Sequence, residues 1–259
     1  MKKIDSFHEY ISQYEQSKTN GGAYWSEVAS NLHWFKKWNK VNSGSFTEAN
    51  VKWFEGGQTN LAYNCLDRHL EHHSNKHALI YVKNDPNESP EYVTYKDLHR
   101  RVCKFSNMLK NHGIKKGDRV CFYMGMTPEL MIGVLACARI GAIHSVVFGG
   151  FSAKALADRI NDCQASILIT NDWGLRGDKR VPLKSIADEG LIDCPSIKSV
   201  IVQKSSTEQV NMTPGRDFWF ETEVANVSSD CPAEKQESED PLFILYTSGS
   251  TGKPKGLLH

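Results

Sequence analysis

"RVCFYMGMTPELMIGVLACARIGAIHSVVFGG", Arg119 to Gly150, is the stretch whose pattern decides the fold. After Arg119 its first segment, "RVCFYMG", is apolar on both alternating sets of positions, as a strand reads when both of its faces are covered. Thr127 then stands where a helix cap belongs. Pro128 falls in the first turn, where its missing N–H is not needed, and Glu129 lies beside the positive end of the helix dipole. A helix is therefore predicted through "LMIGVLACARI", and "AIHSVVF" returns as a strand of β-branched residues. Two such strands joined by a helix form a parallel crossover unit, since an antiparallel pair needs only a short turn.

The same alternation continues on both sides. Upstream, "YKDLHRRVCKFSNMLKNHG" puts Leu98, Val102, Phe105 and Leu109 on one helical stripe and stops at Gly113, which ends a helix cheaply. "ALIYV", Ala78 to Val82, reads as a strand. "NLAYNCLDRHLEHH" reads as one helix, capped by Asn60, with Leu61, Cys65, Leu66 and His69 at helical spacing. Downstream, "SAKALADRIND" starts at Ser152 directly after Gly149 and Gly150 and leads to the strand "SILITND". The fold class read from this is α/β: a parallel sheet flanked by helices on both faces.

Around the later strand "SVIVQ", the segments "KSSTEQVNMTPG" and "VSSDCPAEKQESED" are rich in turn formers and predict surface connections. Residues 1–56 differ in character: Trp25, Trp34, Trp38 and Trp53 are concentrated there. They predict a Trp-rich arm of helix and loop that lies on the body of the protein through its indoles, with residues 57–259 forming the α/β domain.

Composition removes several classes of function. Thirty-one Lys and Arg against 30 Asp and Glu give a net charge of +1, so no global field draws nucleic acid or an acidic membrane, and any anion site is local. Seven cysteines, an odd number without a CxxC pair, fit reduced, mostly buried thiols in a cytoplasmic protein better than a disulfide framework or a zinc cage. The polar start, "MKKIDSFHEYISQYEQ", has no apolar signal region, and no run of about 18 apolar residues predicts a membrane span.

The second decisive stretch is "YTSGSTGKPKGLLH", Tyr246 to His259, which follows the apolar run Leu242 to Leu245. Residues 247–256 carry four hydroxyls, three glycines and two lysines. Glycines let backbone N–H groups approach an anion, hydroxyls donate to its oxygens, and lysine neutralises it. The stretch departs from the P-loop pattern, because Thr247 stands in place of its first Gly and Pro254 in place of the Ser or Thr that holds magnesium. Composition alone also allows a flexible hairpin or linker.

In residue order, however, "YTSGSTGKPKG" resembles the signature loop of the adenylate-forming superfamily. "WFEGGQTNLAYNCLDRHL", "ACARIGAIHSVVFGGFS", "ITNDWGLRGDKRVPLK" and "EDPLFILYTSGSTGKPKG" are similar, in order and separation, to the acetyl-CoA synthetase branch, from about residue 50 onward. The resemblance implies a ligase that makes acetyl-CoA, AMP and diphosphate from ATP, acetate and CoA through an acetyl-adenylate, with magnesium accompanying ATP. It implies that residues 57–259 are an incomplete AMP-binding domain preceded by the family's N-terminal arm. It assigns Thr247, Ser248, Gly249, Ser250, Thr251, Gly252 and Lys253 to the ATP phosphates, leaving open whether Lys253 or Lys255 makes the contact. Gly150, Arg176, Gly177, Asp178 and Lys179 are assigned to CoA; many relatives have a second Arg where this chain has Lys179, which keeps the charge but not the bidentate fork.

The ribose-binding acid, the adenine and acyl pockets and the small domain with its adenylation lysine are expected C-terminal to the signature. The chain is accordingly read as an amino-terminal fragment, inactive alone, with no catalytic residue assigned within it and any regulation or association placed in the C-terminal domain. Propionate or another short-chain acid stays open beside acetate, as does a non-catalytic nucleotide- or CoA-binding module. His69 and His73, four apart with Glu71 between, do not form HExxH and are read as a polar helix end, not a metal site. His144 is read as a hydrogen-bonded core histidine, and Asp172 as the cap of the turn after its strand.

Overall fold

The computed structural model describes residues 4–177, 179–247 and 254–259. Two units emerge: Met1–Arg68 with Lys235–Asp240, and His69–Glu234 with Pro241–His259.

The larger unit is built on seven strands: β1 (Arg119–Met124), β2 (Ile143–Phe148), β3 (Ile167–Asn171), β4 (Ser199–Gln203), β5 (Asp217–Trp219), β6 (Phe243–Thr247) and β7 (Lys255–Leu258). Their spatial order is β5-β4-β3-β1-β2-β6-β7. Every neighbouring pair is parallel except β6 and β7, which are antiparallel. Val120, Cys121, Phe122 and Tyr123 are all fully buried, as their unbroken apolar run requires.

Five helices cover the sheet: α1 (Tyr95–Asn111), α2 (Pro128–Ile140), α3 (Ala153–Cys163), α4 (Leu183–Leu191) and α5 (Phe220–Ala225). Cys121 and Tyr123 point to the face where Leu156 and Ile160 of α3 and Leu183 and Ala187 of α4 form one core. On the other face Phe122 meets Phe105 of α1, whose ring also packs on Phe220 of α5. α2 presses so closely there that a Cβ at Gly133 would sit 2.4 Å from the Phe122 ring.

The predicted α1 stripe of Leu98, Val102, Phe105 and Leu109 is buried, and the helix is followed by Gly113 at φ +82°. Asn60 caps as expected, accepting from the Tyr63 N–H, and Ser152, where the next helix was expected to start, accepts from the Ala155 N–H. Thr127 caps by backbone position alone; its hydroxyl turns to Gln203 Oε1 at 3.3 Å. The stretch 60–73 is not one helix. It breaks at Leu66 (φ −124°, ψ −69°) into Leu61–Cys65, a 3₁₀ turn Asp67–His69 and Leu70–His73. Of the predicted face Leu66 is buried as expected, together with Ala62, whereas Leu61 and Cys65 are exposed, so one continuous helical stripe does not form.

His144 is buried, yet its Nδ1 has no hydrogen-bond partner among the described residues, contrary to the sequence reading. The imidazole stacks instead on Phe243, with 5.5 Å between ring centres. Loss of hydration holds its pKa down to about 4, so the ring is neutral. All seven cysteines are free thiols, and only Cys65 is exposed.

The smaller unit has its own aromatic cluster. Trp34 packs on Trp38 and Phe54, Trp38 on Phe54, and Trp25 on Trp53. Besides its helices Phe7–Thr19 and Gly21–Ala29 it contains an antiparallel pair, Lys40–Ser43 with Lys52–Glu55, so helix and loop alone do not describe it. "AEKQESED" is also more than a surface connection. Gln236 and Glu237 pair with Thr59 and Gln58, and the Ser238 hydroxyl donates to the carbonyls of Trp53 and Phe54. Both corrections have one cause: short polar strands carry no period-2 apolar signal and are held by backbone pairing.

Candidate functional site

In a parallel sheet the loops beyond the carboxyl ends of the strands gather along one edge, where ligands of open α/β sheets bind. Here that edge collects Gly125 after β1, Gly149–Ser152 after β2, Asp172 after β3 and Thr247 at the end of β6. The glycine after β2 is forced, because a Cβ at Gly149 would lie 2.7 Å from the carbonyl oxygen of Met124.

Between β1 and β3 the following helices leave for opposite faces, which opens a crevice. Three polar side chains fill it. Asn171 accepts from the Gly125 N–H at 3.1 Å and donates to Gln203 at 2.8 Å, and Gln203 also receives the Thr127 hydroxyl. Asp172 is fully buried and accepts from the N–H groups of Trp173, Ser205 and Ser206 and from both serine hydroxyls. A carboxylate so occupied folds the loop over itself, which is the capping role its position predicts.

The assigned phosphate loop is described only at its margins. Thr247 is exposed at the end of β6 and its register partner is the exposed Lys255 at the start of β7. Ser248, Gly249, Ser250, Thr251, Gly252 and Lys253 lie outside the described residues. The strand that carries Thr247 is firmly held: the Tyr246 hydroxyl donates to Asp162 Oδ2 at 2.7 Å, and burial together with that contact pushes the phenol well above its ordinary pKa.

Of the residues assigned to CoA, Arg176 and Lys179 face each other across a hairpin, Gly174–Arg176 with Lys179–Val181. Gly177 turns it at φ +57°, and its carbonyl accepts from Asn84 Nδ2 at 2.8 Å. Asp178 lies outside the described residues. The neighbouring Arg180 is engaged, paired with Glu208 and stacked over Trp173 at 5.2 Å. Arg176 has no carboxylate partner among the described residues; its guanidinium lies 5.6 Å from the centre of the Phe148 ring. Gly150 adjoins the same ring, since a Cβ there would come within 2.6 Å of it.

Phe148 thus brings Gly150 and Arg176 together, and sequence reasoning missed it. Its 52% exposure is unusual for a phenylalanine at the end of a core strand, but in the sequence it is one more apolar letter of "AIHSVVF". Phe151, Arg159 and Tyr246 were missed for the same reason. Arg159, 8% exposed, lies 4.7 Å from the ring centre of Phe151 and 5.4 Å from that of Tyr246.

Known proteins resemble this chain in sequence and in fold. The chain is 52% identical to acetyl-coenzyme A synthetase of Alkalilimnicola ehrlichii over 96% of its length, and 51% identical to that of Syntrophobacter fumaroxidans, also over 96%. It spans only 39% and 38% of those relatives. The solved structure of acetoacetyl-CoA synthetase from Streptomyces lividans superposes with a TM-score of 0.86 at 26% identity, over 94% of this chain and 37% of that one. The profile described as the acetyl-coenzyme A synthetase N-terminus matches residues 10–65, ahead of the match to AMP-binding enzymes. With residues 66–259 matching the AMP-binding enzyme profile, the chain belongs to the AMP-binding enzyme family.

Proposed function

We propose that this chain is the amino-terminal part of an AMP-forming acetate–CoA ligase. The observation that carries the reading is the half-identity to acetyl-coenzyme A synthetases along nearly the whole chain, on a sheet that brings Thr247, Gly150 and Arg176 to one edge. In the first step an acetate oxygen attacks the α-phosphorus of ATP, supplied as its magnesium complex, and diphosphate leaves. In the second the CoA thiol attacks the acyl carbon, and AMP leaves with the bonding pair.

Residues Thr247, Ser248, Gly249, Ser250, Thr251, Gly252 and Lys253 would hold the β and γ phosphates, where donors fixed in advance stabilise the charge on the departing diphosphate. Gly150, Arg176, Gly177, Asp178 and Lys179 would receive the nucleotide end of CoA. The exposed Phe148 ring beneath Arg176 offers a face on which a base can stack. Residues 1–56 would be the arm and 57–259 the beginning of the catalytic domain, in a cytoplasmic enzyme. Among the described residues no helix is long and apolar enough to cross a membrane.

The test is acetate-dependent exchange of labelled diphosphate into ATP, catalysed by the complete gene product. Exchange is expected with the complete protein, absent with residues 1–259 alone, and strongly depressed by Lys253→Ala without loss of folding. Exchange driven by propionate but not acetate would move the substrate assignment, and exchange by the isolated chain would refute the division of labour proposed here.

A further inference from the structure

We propose that Arg159 is a positioning residue that couples the two substrate sites by clamping the strand that launches the phosphate loop to the aromatic turn that carries Gly150. The inference rests on the assignment of those two sites given above.

A buried cation without a counter-ion is costly, and an apolar side chain would fill the same space on α3 at no such cost. Arg159 makes no carboxylate contact among the described residues. One guanidinium nitrogen donates to the carbonyl of Ala155 at 2.6 Å, and the planar group otherwise rests against two rings. Those rings come from different elements. Tyr246 is the residue before Thr247, and Phe151 belongs to the turn after β2.

Both elements are themselves tied down. The phenol of Tyr246 is bound to Asp162 on the same helix as Arg159, while the Phe151 carbonyl accepts from the Tyr123 hydroxyl at 2.6 Å. Phe151 in turn meets Phe148 edge to face, with centres 5.8 Å apart, and Phe148 carries Arg176. An unbroken series of contacts therefore runs from Arg176 through Phe148, Phe151 and Arg159 to Tyr246. A flat, delocalised cation can hold two ring faces at once, which neither an aliphatic side chain nor a lysine ammonium can do.

The test uses the complete gene product with Arg159→Met and Arg159→Lys, and measures KM for ATP in diphosphate exchange, KM for CoA in thioester formation, and melting temperature. Arg159→Met is expected to raise both KM values roughly thirtyfold, the scale of one desolvated cation–π contact, with kcat for exchange changed much less. Arg159→Lys should fall between it and the parent. Either KM staying at the parental value in a folded Arg159→Met protein overturns the proposal, and if that variant does not fold, parental KM values in Arg159→Lys do so. Failure of both variants to fold would mark the contact as structural support and also overturn it. A parent without acetate-dependent exchange would instead overturn the functional assignment, and this inference with it.

Discussion

Two buried cations on neighbouring helices of the same sheet face are treated in opposite ways. Lys184, at the start of α4, is fully buried and saturated: its ammonium reaches both oxygens of Asp188 at 2.7 Å, Asp217 at 2.8 Å and the Asn211 carbonyl at 2.9 Å. Arg216 closes the network from the other side with contacts to Asp188 and Asp217. Arg159 on α3 has aromatic faces and one carbonyl in place of carboxylates. The difference separates their purposes. A charge with every partner in place holds α4 against β5 and is finished with, whereas a charge left without an anion beside the proposed sites holds other groups in position.

The largest expected effect comes from breaking the saturated network. Lys184→Met leaves the buried Asp217 and the partly exposed Asp188 to share one arginine and should cost about 3–5 kcal/mol in denaturant unfolding, the range for removing one partner of a buried pair. Arg159→Met leaves no charge uncompensated and should cost clearly less in the same measurement. Similar losses from both would erase the distinction.

Acid unfolding sharpens it further, because the interior answers protons at two places. His144, held neutral, has a folded pKa of about 4 against an ordinary 6.5. The unfolded chain therefore binds a proton that the folded one refuses, and about 3 kcal/mol of stability should disappear as pH falls from 6.5 to 4, by the free energy of a pKa difference. His144→Phe should remove that slope. For Asp217, burial acts to raise the carboxyl, but hydrogen bonds from Arg216 and Lys184 outweigh it and hold the group below its ordinary 3.8. Its contribution is present above that value and is lost at still lower pH, as the folded carboxyl takes up its proton. Stability measured in both pH windows for wild type and His144→Phe separates the two groups.

Smaller effects belong to the proposed sites. Phe148→Ala should raise KM for CoA by an amount equivalent to about 1–3 kcal/mol, the worth of a base stacked on an aromatic ring, with little change in melting temperature, since the ring is half exposed. Tyr246→Phe removes the hydroxyl that donates to Asp162 at 2.7 Å and also lies 3.3 Å from the Arg159 carbonyl, and should cost about 1 kcal/mol of stability. A loss several times larger would show that the phenol contributes more than these contacts.

The sheet was readable in the sequence because β1 to β4 are short, mostly apolar runs that alternate with helix-spaced segments. β7 was not, since "KGLL" is a glycine-containing exposed edge held by pairing with β6. The helix predicted over 60–73 failed because periodicity registers apolar spacing but not the local turn that buries Leu66. At the site, the letters that touch phosphate or CoA in the reading are unusual in composition and order, so they stand out. Phe148, Phe151, Arg159 and Tyr246 do not. Tyr246 follows Arg159 by 87 positions, and they meet only because β6 lies beside β2 at the covered face of α3. Such contacts are a property of strand order, which composition and spacing do not encode.

The most direct test of the central claim is a crystal structure of the complete protein with a non-hydrolysable ATP analogue. The β and γ phosphates are expected at the carboxyl edge of the sheet, within hydrogen-bond distance of residues 247–253. Ordered phosphates bound elsewhere, with no contact to those residues, would contradict it.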